Sequence, residues 1–229
     1  MNEGAVGNRI VERHAQIHLI FSSAIVRLTN ARCSRLGSSI GSPDWLADKR
    51  ATGVGDVPWG SHLCQFYRSK ADLVETLVPY FVAGLQQNER CIWIASEPLG
   101  AADCFRELEA RVPDLAERAR RGQIEIMDYA DWYTRGEAMD GASTLRRWLD
   151  AEAEARQSGY AGLRLTGNTF ALDQKDWAAF TDYEASVQAT FHNRRIIALC
   201  SYCRDRCSAD EIIDVIRNHD CALVRREGD

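Results

Sequence analysis

The chain has 229 residues, 45% of them hydrophobic, and a formal net charge of −5 at pH 7. This size and composition allow one substantial core, so we expect one main domain with a small appendage. The first 60 residues are weakly basic and the remainder is acidic. Because phosphate backbones are held by clustered Lys and Arg side chains, the acidic main domain argues against direct nucleic-acid binding.

The sequence carries no sign of a membrane or secretory segment. No run approaches the roughly 18 apolar residues that a membrane helix needs, and the first residues lack the basic and then apolar order of a secretory signal. We therefore expect a cytoplasmic protein. Its eight cysteines are then expected to be free thiols, since most of them lie in apolar, strand-like runs.

The sequence pattern of the N-terminal segment predicts an appendage to the main domain. Apolar residues between positions 9 and 36 recur at a spacing that predicts an amphipathic helix. Residues 36–60 then collect glycine, proline and serine, which is typical of a linker. We therefore assign residues 1–56 to an N-terminal helix and flexible linker, and residues 57–229 to the main domain.

Strand-like and helix-like segments alternate through the main domain. Apolar or β-branched runs predict strands at residues 62–67, 91–96, 123–128, 162–167, 196–202 and 221–225. Helical spacing appears at residues 73–85, 145–149, 177–187 and 212–216, and capping patterns begin at Ser69, Asp173 and Ser208. This alternation predicts an α/β fold, a three-layer α/β/α sandwich with a mainly parallel central sheet.

The first core strand, residues 62–67 (HLCQFY), stands where a nucleotide-binding fold places its phosphate loop. The residues that follow contain neither the glycines nor the lysine of G-x-x-x-x-G-K-[ST]. The phosphate loop is therefore predicted to be degenerate. No G-x-S-x-G, strand-following G-x-G-x-x-G or H-E-x-x-H motif occurs either, which removes three of the commonest routes to an enzyme assignment. Our expectation is a protein that is not an enzyme and uses no cofactor.

Candidate site residues were sought at strand ends, because ligands of such sheets bind beyond the carboxyl ends of the strands. His62 and Cys64 alternate along one strand and so share a face. That face allows a metal, a thiolate–imidazolium pair or hydrogen bonds to a ligand, but also a packed cysteine beside an entry histidine. Tyr67 is equally compatible with the site and with the core.

Two further patterns leave alternatives open. Cys200-x-x-Cys203-x-x-x-Cys207 is the nearest pattern to a metal signature, but a second ligand pair is missing, so a metal at these cysteines is kept only as the alternative. Arg164 lies in an apolar strand and must meet Glu97, another carboxylate or an anionic ligand, because an unpaired buried charge is costly.

Several of these stretches resemble a known family. The matching segments are GSHLCQFY (60–67), LVETLVPYF (73–81), WIASEPL (93–99), LRLTGN (163–168), CSY (200–202) and RNHDCAL (217–223). In their order they resemble the MEDS domain, the methanogen/methylotroph, DcmR sensory domain, over residues 57–226. The resemblance implies a RecA/KaiC-like fold that has lost its phosphate loop and senses hydrocarbon-derived small molecules.

The resemblance also implies a set of ligand-binding residues. These are His62, Cys64, Tyr67, Glu97, Arg164, Cys200, Tyr202 and His219. The chain departs from the family in having Cys203 where members often have proline. Members are commonly fused to a DNA-binding or kinase module and none is recognised here, so output is expected to pass through a regulatory protein partner or a homodimer.

The resulting hypothesis is a regulatory domain that binds a small ligand without turnover and relays its occupancy, in signal transduction or transcription control. The alternatives are a thiol-based redox or metal-binding switch that uses Cys64 beside His62, and an unconventional nucleotide-binding protein. An interaction module with a vestigial pocket is a further possibility.

Overall fold

The structure, a computed structural model, describes residues 18–22, 25–29, 57–134, 140–169 and 174–225. Its strands are β1 (His18–Ser22), β2 (Ile25–Thr29), β3 (His62–Tyr67), β4 (Arg90–Ala95), β5 (Ile124–Asp128), β6 (Leu163–Asn168), β7 (Ile196–Cys203) and β8 (Cys221–Arg225). Its α-helices are α1 (Lys70–Gln86), α2 (Ala101–Glu109), α3 (Leu115–Arg120), α4 (Gly141–Gln157), α5 (Trp177–Phe191) and α6 (Ala209–Arg217).

The strands form one sheet in the order β1-β2-β8-β3-β7-β6-β4-β5. Strands β3 to β8 run parallel to one another, and β2 joins β8 in the antiparallel direction. The predicted α/β class with a mainly parallel sheet is confirmed. Neighbouring strands that are distant in sequence, such as β3 and β7, bring residues from both ends of the chain together.

Two apolar cores lie on opposite faces of the sheet, which gives the three layers. One face packs against α1, α2 and α3 through residues that include Leu73, Leu108 and Leu115. The other packs against α4, α5 and α6 through residues that include Trp148, Val187 and Val215. Within a strand, successive side chains enter alternate cores.

Two of the predicted helix starts are confirmed. The Ser69 hydroxyl accepts from the Asp72 N–H at 3.2 Å, and the Asp72 carboxylate accepts from the Ser69 N–H at 3.0 Å. Ser208 and Glu211 form the same reciprocal pair at the start of α6. Both satisfy N–H groups that a helix leaves free in its first turn. The third predicted cap, Asp173, lies outside the described residues.

The helix predicted between residues 9 and 36 is wrong where the structure describes it. Residues His18–Ser22 and Ile25–Thr29 form an antiparallel hairpin, and β2 pairs with β8 from Ile25↔Arg225 to Thr29↔Cys221. β-Branched residues favour strands, and β8 offers an edge that a strand can pair with. The described part of the N-terminal segment therefore extends the sheet of the main domain. Residues 36–56 of the predicted linker lie outside the described residues.

Among the described residues, none of the helices combines the length and the apolar character needed to cross a membrane.

Candidate functional site

At the position where a nucleotide-binding fold has its phosphate loop, backbone N–H groups are already hydrogen-bonded to a side chain of the same protein. Only Arg68 and Ser69 separate β3 from α1, and both backbone N–H groups donate to Asp72 Oδ2, at 2.9 and 3.0 Å. Free N–H groups at a helix start are what a phosphate binds. Here an internal carboxylate already holds two of them, which adds to the missing glycines and lysine.

A buried polar cluster lies instead on the sheet face covered by α5 and α6. We call it the histidine cluster, and it consists of His62, Glu184, Cys200 and His219. Each side chain offers one ligand-type atom, and these four atoms lie within 4.8 Å of one another. All four residues are at least nine-tenths buried.

The fold brings these residues together from four elements. His62 opens β3, and its N–H donates to Asp220 Oδ2 at 3.0 Å while its carbonyl accepts from the Asp220 N–H at 2.8 Å. Cys200 projects from β7, where the parallel register pairs Cys64 with Cys200. Glu184 lies on the sheet-facing side of α5, and His219 precedes β8. The cluster therefore assembles only in the folded sheet.

The distances within the histidine cluster are short. His62 Nε2 and His219 Nε2 lie 3.2 and 3.3 Å from the same atom, Glu184 Oε2. The Cys200 sulphur lies 3.4 Å from His62 Nε2, and the two imidazole rings have centroids 3.9 Å apart. Two imidazoles, a carboxylate and a thiol therefore converge on a single small space.

Neighbouring groups determine which nitrogen of each imidazole carries a proton. His219 Nδ1 lies 2.7 Å from the Val215 carbonyl, which only accepts, so this nitrogen is protonated. Gln188 Nε2 donates to Asp220 Oδ1 at 2.6 Å, which leaves Gln188 Oε1 to accept from His62 Nδ1 at 3.0 Å. In their neutral forms, both imidazoles thus present a bare Nε2 lone pair to the cluster.

Burial shapes the electrostatics of the histidine cluster. It lowers the pKa of His219 well below the ordinary value, and the neighbouring His62 lowers it further. It raises the pKa of Cys200 well above the ordinary value, and the charge of Glu184 adds to this effect. Both shifts disfavour charged forms in the absence of a bound partner.

Five of the predicted site residues lie in or beside this cluster. His62, Cys200 and His219 belong to it, and the Tyr202 ring meets the His219 ring edge-on at a centroid distance of 5.7 Å. Cys64 lies in the same core, and its thiol donates to the Cys221 carbonyl at 3.7 Å. Burial raises the pKa of Cys64 well above the ordinary value, which disfavours the thiolate that a reactive cysteine needs.

The other three predicted site residues lie elsewhere. Tyr67 packs in the opposite core and donates to Asn168 Oδ1 at 3.3 Å. Glu97 is exposed and does not meet Arg164. Arg164 is fully buried on the α1 side of the sheet, where it pairs with Glu89. The structure therefore does not assemble the eight residues into a single site.

Arg164 and Glu89 form a second buried group, which we call the arginine pair. Arg164 Nε donates to Glu89 Oε2, and Nη2 donates to Glu89 Oε1 at 3.2 Å. The guanidinium also lies 4.7 Å from the centre of the Tyr80 ring. Burial alone lowers the pKa of Arg164, but the Glu89 carboxylate holds it above its ordinary value. Gly84 leaves room for this contact, since a Cβ there would lie 2.7 Å from the Arg164 side chain.

The location of the cluster also corrects the strand-end expectation. His62 is the first residue of β3, and His219 lies two residues before β8 begins. The histidine cluster is therefore nearer the amino ends of these strands than the crevice beyond their carboxyl ends. It lies within the layer between sheet and helices.

The alternative metal set of Cys200, Cys203 and Cys207 is not brought together. Cys200 belongs to the core beneath α5, whereas Cys203 packs against the opposite core. Residues three apart in a strand face opposite sides, so this C-x-x-C pattern cannot act as a knuckle.

Sequence reasoning missed Glu184, although its place among the apolar, helix-spaced residues of 177–187 was the available signal.

A surface cavity of about 340 Å³ is lined by residues that belong to neither buried group. Its lining includes Arg90, Arg121, Glu154, Gln157 and Tyr160. This polar, charged lining suits an apolar ligand poorly, and it contains none of the predicted site residues.

The chain forms an α/β domain with a RecA-like fold, and its β3–α1 connection lacks the glycines and the lysine of a phosphate loop. Its fold is similar to that of a KaiC-like protein from the hyperthermophilic archaeon Pyrococcus horikoshii OT3, with a TM-score of 0.50 and 13% identity over 74% of this chain and 73% of that one. Residues 61–220 match the family described as "MEthanogen/methylotroph, DcmR Sensory domain", or MEDS. The chain belongs to this family. No curated protein matches it.

Proposed function

We propose that this MEDS domain is a non-enzymatic sensor that binds a small hydrocarbon derivative at the histidine cluster. The observation that carries the proposal is a set of three buried polar atoms without hydrogen-bond partners among the described residues. They are Glu184 Oε2, Tyr202 Oη and His219 Nε2. Buried polar groups are normally paired, so such a concentration favours a binding site.

The surroundings of these atoms suit a small molecule with one polar group. The Phe191 ring lies edge-on to His62 with centroids 6.2 Å apart, and Phe180 is edge-on to Tyr202 at 6.3 Å. Ligand sites are commonly apolar with a few convergent polar groups. A short-chain alcohol, aldehyde or halide would have its polar end at the cluster and its carbons against these rings.

The route for relaying occupancy is the strand that follows the cluster. His219 and Asp220 lead directly into β8, and β8 pairs with β2 of the N-terminal hairpin. A ligand that moves His219 would therefore shift the edge of the sheet. We propose that a regulatory protein or a second copy of the chain reads this edge.

Nucleotide binding has less support. The N–H groups at the start of α1 are held by Asp72, and the likeness to the KaiC-like protein shows the fold alone. The buried thiol of Cys64 likewise offers little support for a reactive-cysteine enzyme, because its raised pKa opposes thiolate formation.

Thermal unfolding with one- to four-carbon alcohols, aldehydes and haloalkanes tests the proposal. At least one compound is expected to raise the melting temperature, because a ligand at 100 times its Kd adds about 2.7 kcal/mol of stability. Tyr202→Phe and His219→Gln should reduce that shift. Arg121→Gln, in the surface cavity, is the control and should keep it. A shift that persists unchanged in both cluster variants would overturn the proposed site.

A further inference from the structure

We propose that the histidine cluster binds one divalent transition-metal ion, with Zn²⁺ as the reference ion. The ligands would be His62 Nε2, His219 Nε2, Cys200 Sγ and one carboxylate oxygen of Glu184. The inference gives another use to two atoms of the proposed sensing site, Glu184 Oε2 and His219 Nε2, and leaves Tyr202 Oη for the polar group of an organic ligand. It does not require that an organic ligand bind there.

The spacing of the donor atoms fits tetrahedral coordination. Zinc binds imidazole nitrogen, thiolate sulphur and carboxylate oxygen at about 2.0 to 2.3 Å, which places tetrahedral ligand atoms about 3.3 to 3.8 Å apart. Three pairs in the cluster are separated by 3.2, 3.3 and 3.4 Å. All four donor atoms fall within 4.8 Å of one another, so small side-chain shifts suffice.

The hydrogen bonds around the cluster orient lone pairs inward. His219 donates its Nδ1 proton to the Val215 carbonyl, and His62 donates its Nδ1 proton to Gln188. Metal-binding histidines generally have such partners on the second nitrogen, which fix the tautomer and the ring orientation. Gln188 is itself held by Asp220. The outer layer of a metal site is thus already formed.

The cluster without an ion places acceptors against one another. In the neutral form of His219, a bare Nε2 faces Glu184 Oε2 at 3.3 Å, and neither atom has a hydrogen-bond partner among the described residues. Two lone pairs at this distance repel each other in a buried site. A cation between them turns the same arrangement into an attraction, which gives these side chains a physical reason to converge.

The donor set points to a transition metal. Thiolate and imidazole ligands favour Zn²⁺ and its neighbours, whereas Mg²⁺ and Ca²⁺ prefer oxygen ligands. On binding, the Cys200 sulphur gives up its proton to solvent and forms the metal–sulphur bond. Four protein ligands leave no open position, an arrangement found in structural sites rather than in hydrolytic ones.

Elemental analysis and cobalt substitution of the full chain test the inference. We expect about one zinc-class ion per chain after purification without added metal, or uptake of one Zn²⁺ by chelator-treated protein with a higher melting temperature. Co²⁺ should give a thiolate-to-cobalt absorption band and the intense visible bands of tetrahedral coordination. Uptake of no metal, together with no cobalt spectrum in the wild type, would overturn the proposal.

Matched variants locate the site. Cys200→Ser should abolish the thiolate-to-cobalt band, whereas Cys207→Ser should leave it unchanged. His219→Gln should lose tight binding, whereas His192→Gln, at an exposed histidine, should not. Gln188→Ala should weaken affinity about 10- to 100-fold through the lost support of His62. Equal metal binding by the cluster variants and their controls would place the ion elsewhere and refute the assignment.

The metal experiment and the ligand experiment can contradict their two proposals independently of each other. Stoichiometric metal binding without any organic-ligand shift would support the metal site and count against the proposed sensing function. If the protein binds no metal but organic compounds raise its melting temperature, and Tyr202→Phe loses that shift, the result would support the proposed sensing function and count against the metal site.

Discussion

The two buried groups on opposite faces of the sheet differ in how completely their charges are paired. In the arginine pair, both carboxylate oxygens of Glu89 accept from Arg164, a fixed cation. In the histidine cluster, Glu184 Oε2 faces two imidazole nitrogens that lack protons in the neutral form. Burial is similar in both, so burial alone does not distinguish a structural ion pair from a binding site. The histidine cluster, rather than the arginine pair, is proposed as a binding site because its polar atoms are incompletely paired among the described residues.

The largest effect is expected from breaking the arginine pair. Glu89→Gln leaves a fully buried guanidinium without its counter-charge, so the free energy of unfolding should fall by about 3 to 5 kcal/mol. Urea denaturation monitored by circular dichroism measures this. The double variant Arg164→Met/Glu89→Leu should recover most of the loss, because it leaves no unpaired charge. A loss below about 1 kcal/mol in the single variant is the level of an exposed pair. It would contradict the interpretation of the arginine pair as a structural ion pair.

Much of the fold was accessible from the sequence because strands of a parallel sheet are nearly continuous apolar runs. The predictions for β3 and β8 match the structure at both ends. Helices α2 and α3 were missed, since they bury only a few positions, such as Cys104 and Leu108 in α2. The hairpin was mistaken for a helix because its partner, β8, lies almost 200 residues further along the chain.

The site was harder to predict, because its composition depends on strand order. His62, Cys200 and His219 could be named from motifs, but only the adjacency of β3, β7 and β8 shows that they meet. The sequence left the partner of Arg164 open among Glu97, another carboxylate and an anionic ligand. Because β4 lies beside β6, Glu89 is near the start of both strands and is the carboxylate that pairs with Arg164. A charged residue at a core-facing helix position, as at Glu184, was the signal available without topology.

A smaller effect on stability is expected from removing one tyrosine hydroxyl beside each buried group, Tyr80 beside the arginine pair and Tyr202 beside the histidine cluster. The Tyr80 hydroxyl lies 2.9 Å from the Leu165 carbonyl and 2.9 Å from the Ile197 carbonyl, and its one proton serves these two acceptors. Tyr80→Phe should therefore cost about 1 kcal/mol. Tyr202→Phe removes a buried hydroxyl without a partner among the described residues and should leave stability unchanged or raise it. Paired thermal unfolding curves measure both. Equal losses would show that Tyr202 has a partner and would remove it from the proposed sensing site.

The smallest effect on stability is expected at the carboxylate of the histidine cluster. In Glu184→Gln, the side-chain amide can donate to a bare imidazole nitrogen, replacing a repulsion with a hydrogen bond. The free energy of unfolding measured in chelator should therefore change by less than about 1 kcal/mol, while Zn²⁺ stabilisation is lost. The same substitution at Glu89 serves as the matched control. If Glu184→Gln instead costs as much as Glu89→Gln without metal, Glu184 is paired with a protonated imidazole, and the cluster is an ion pair of the same kind as the arginine pair.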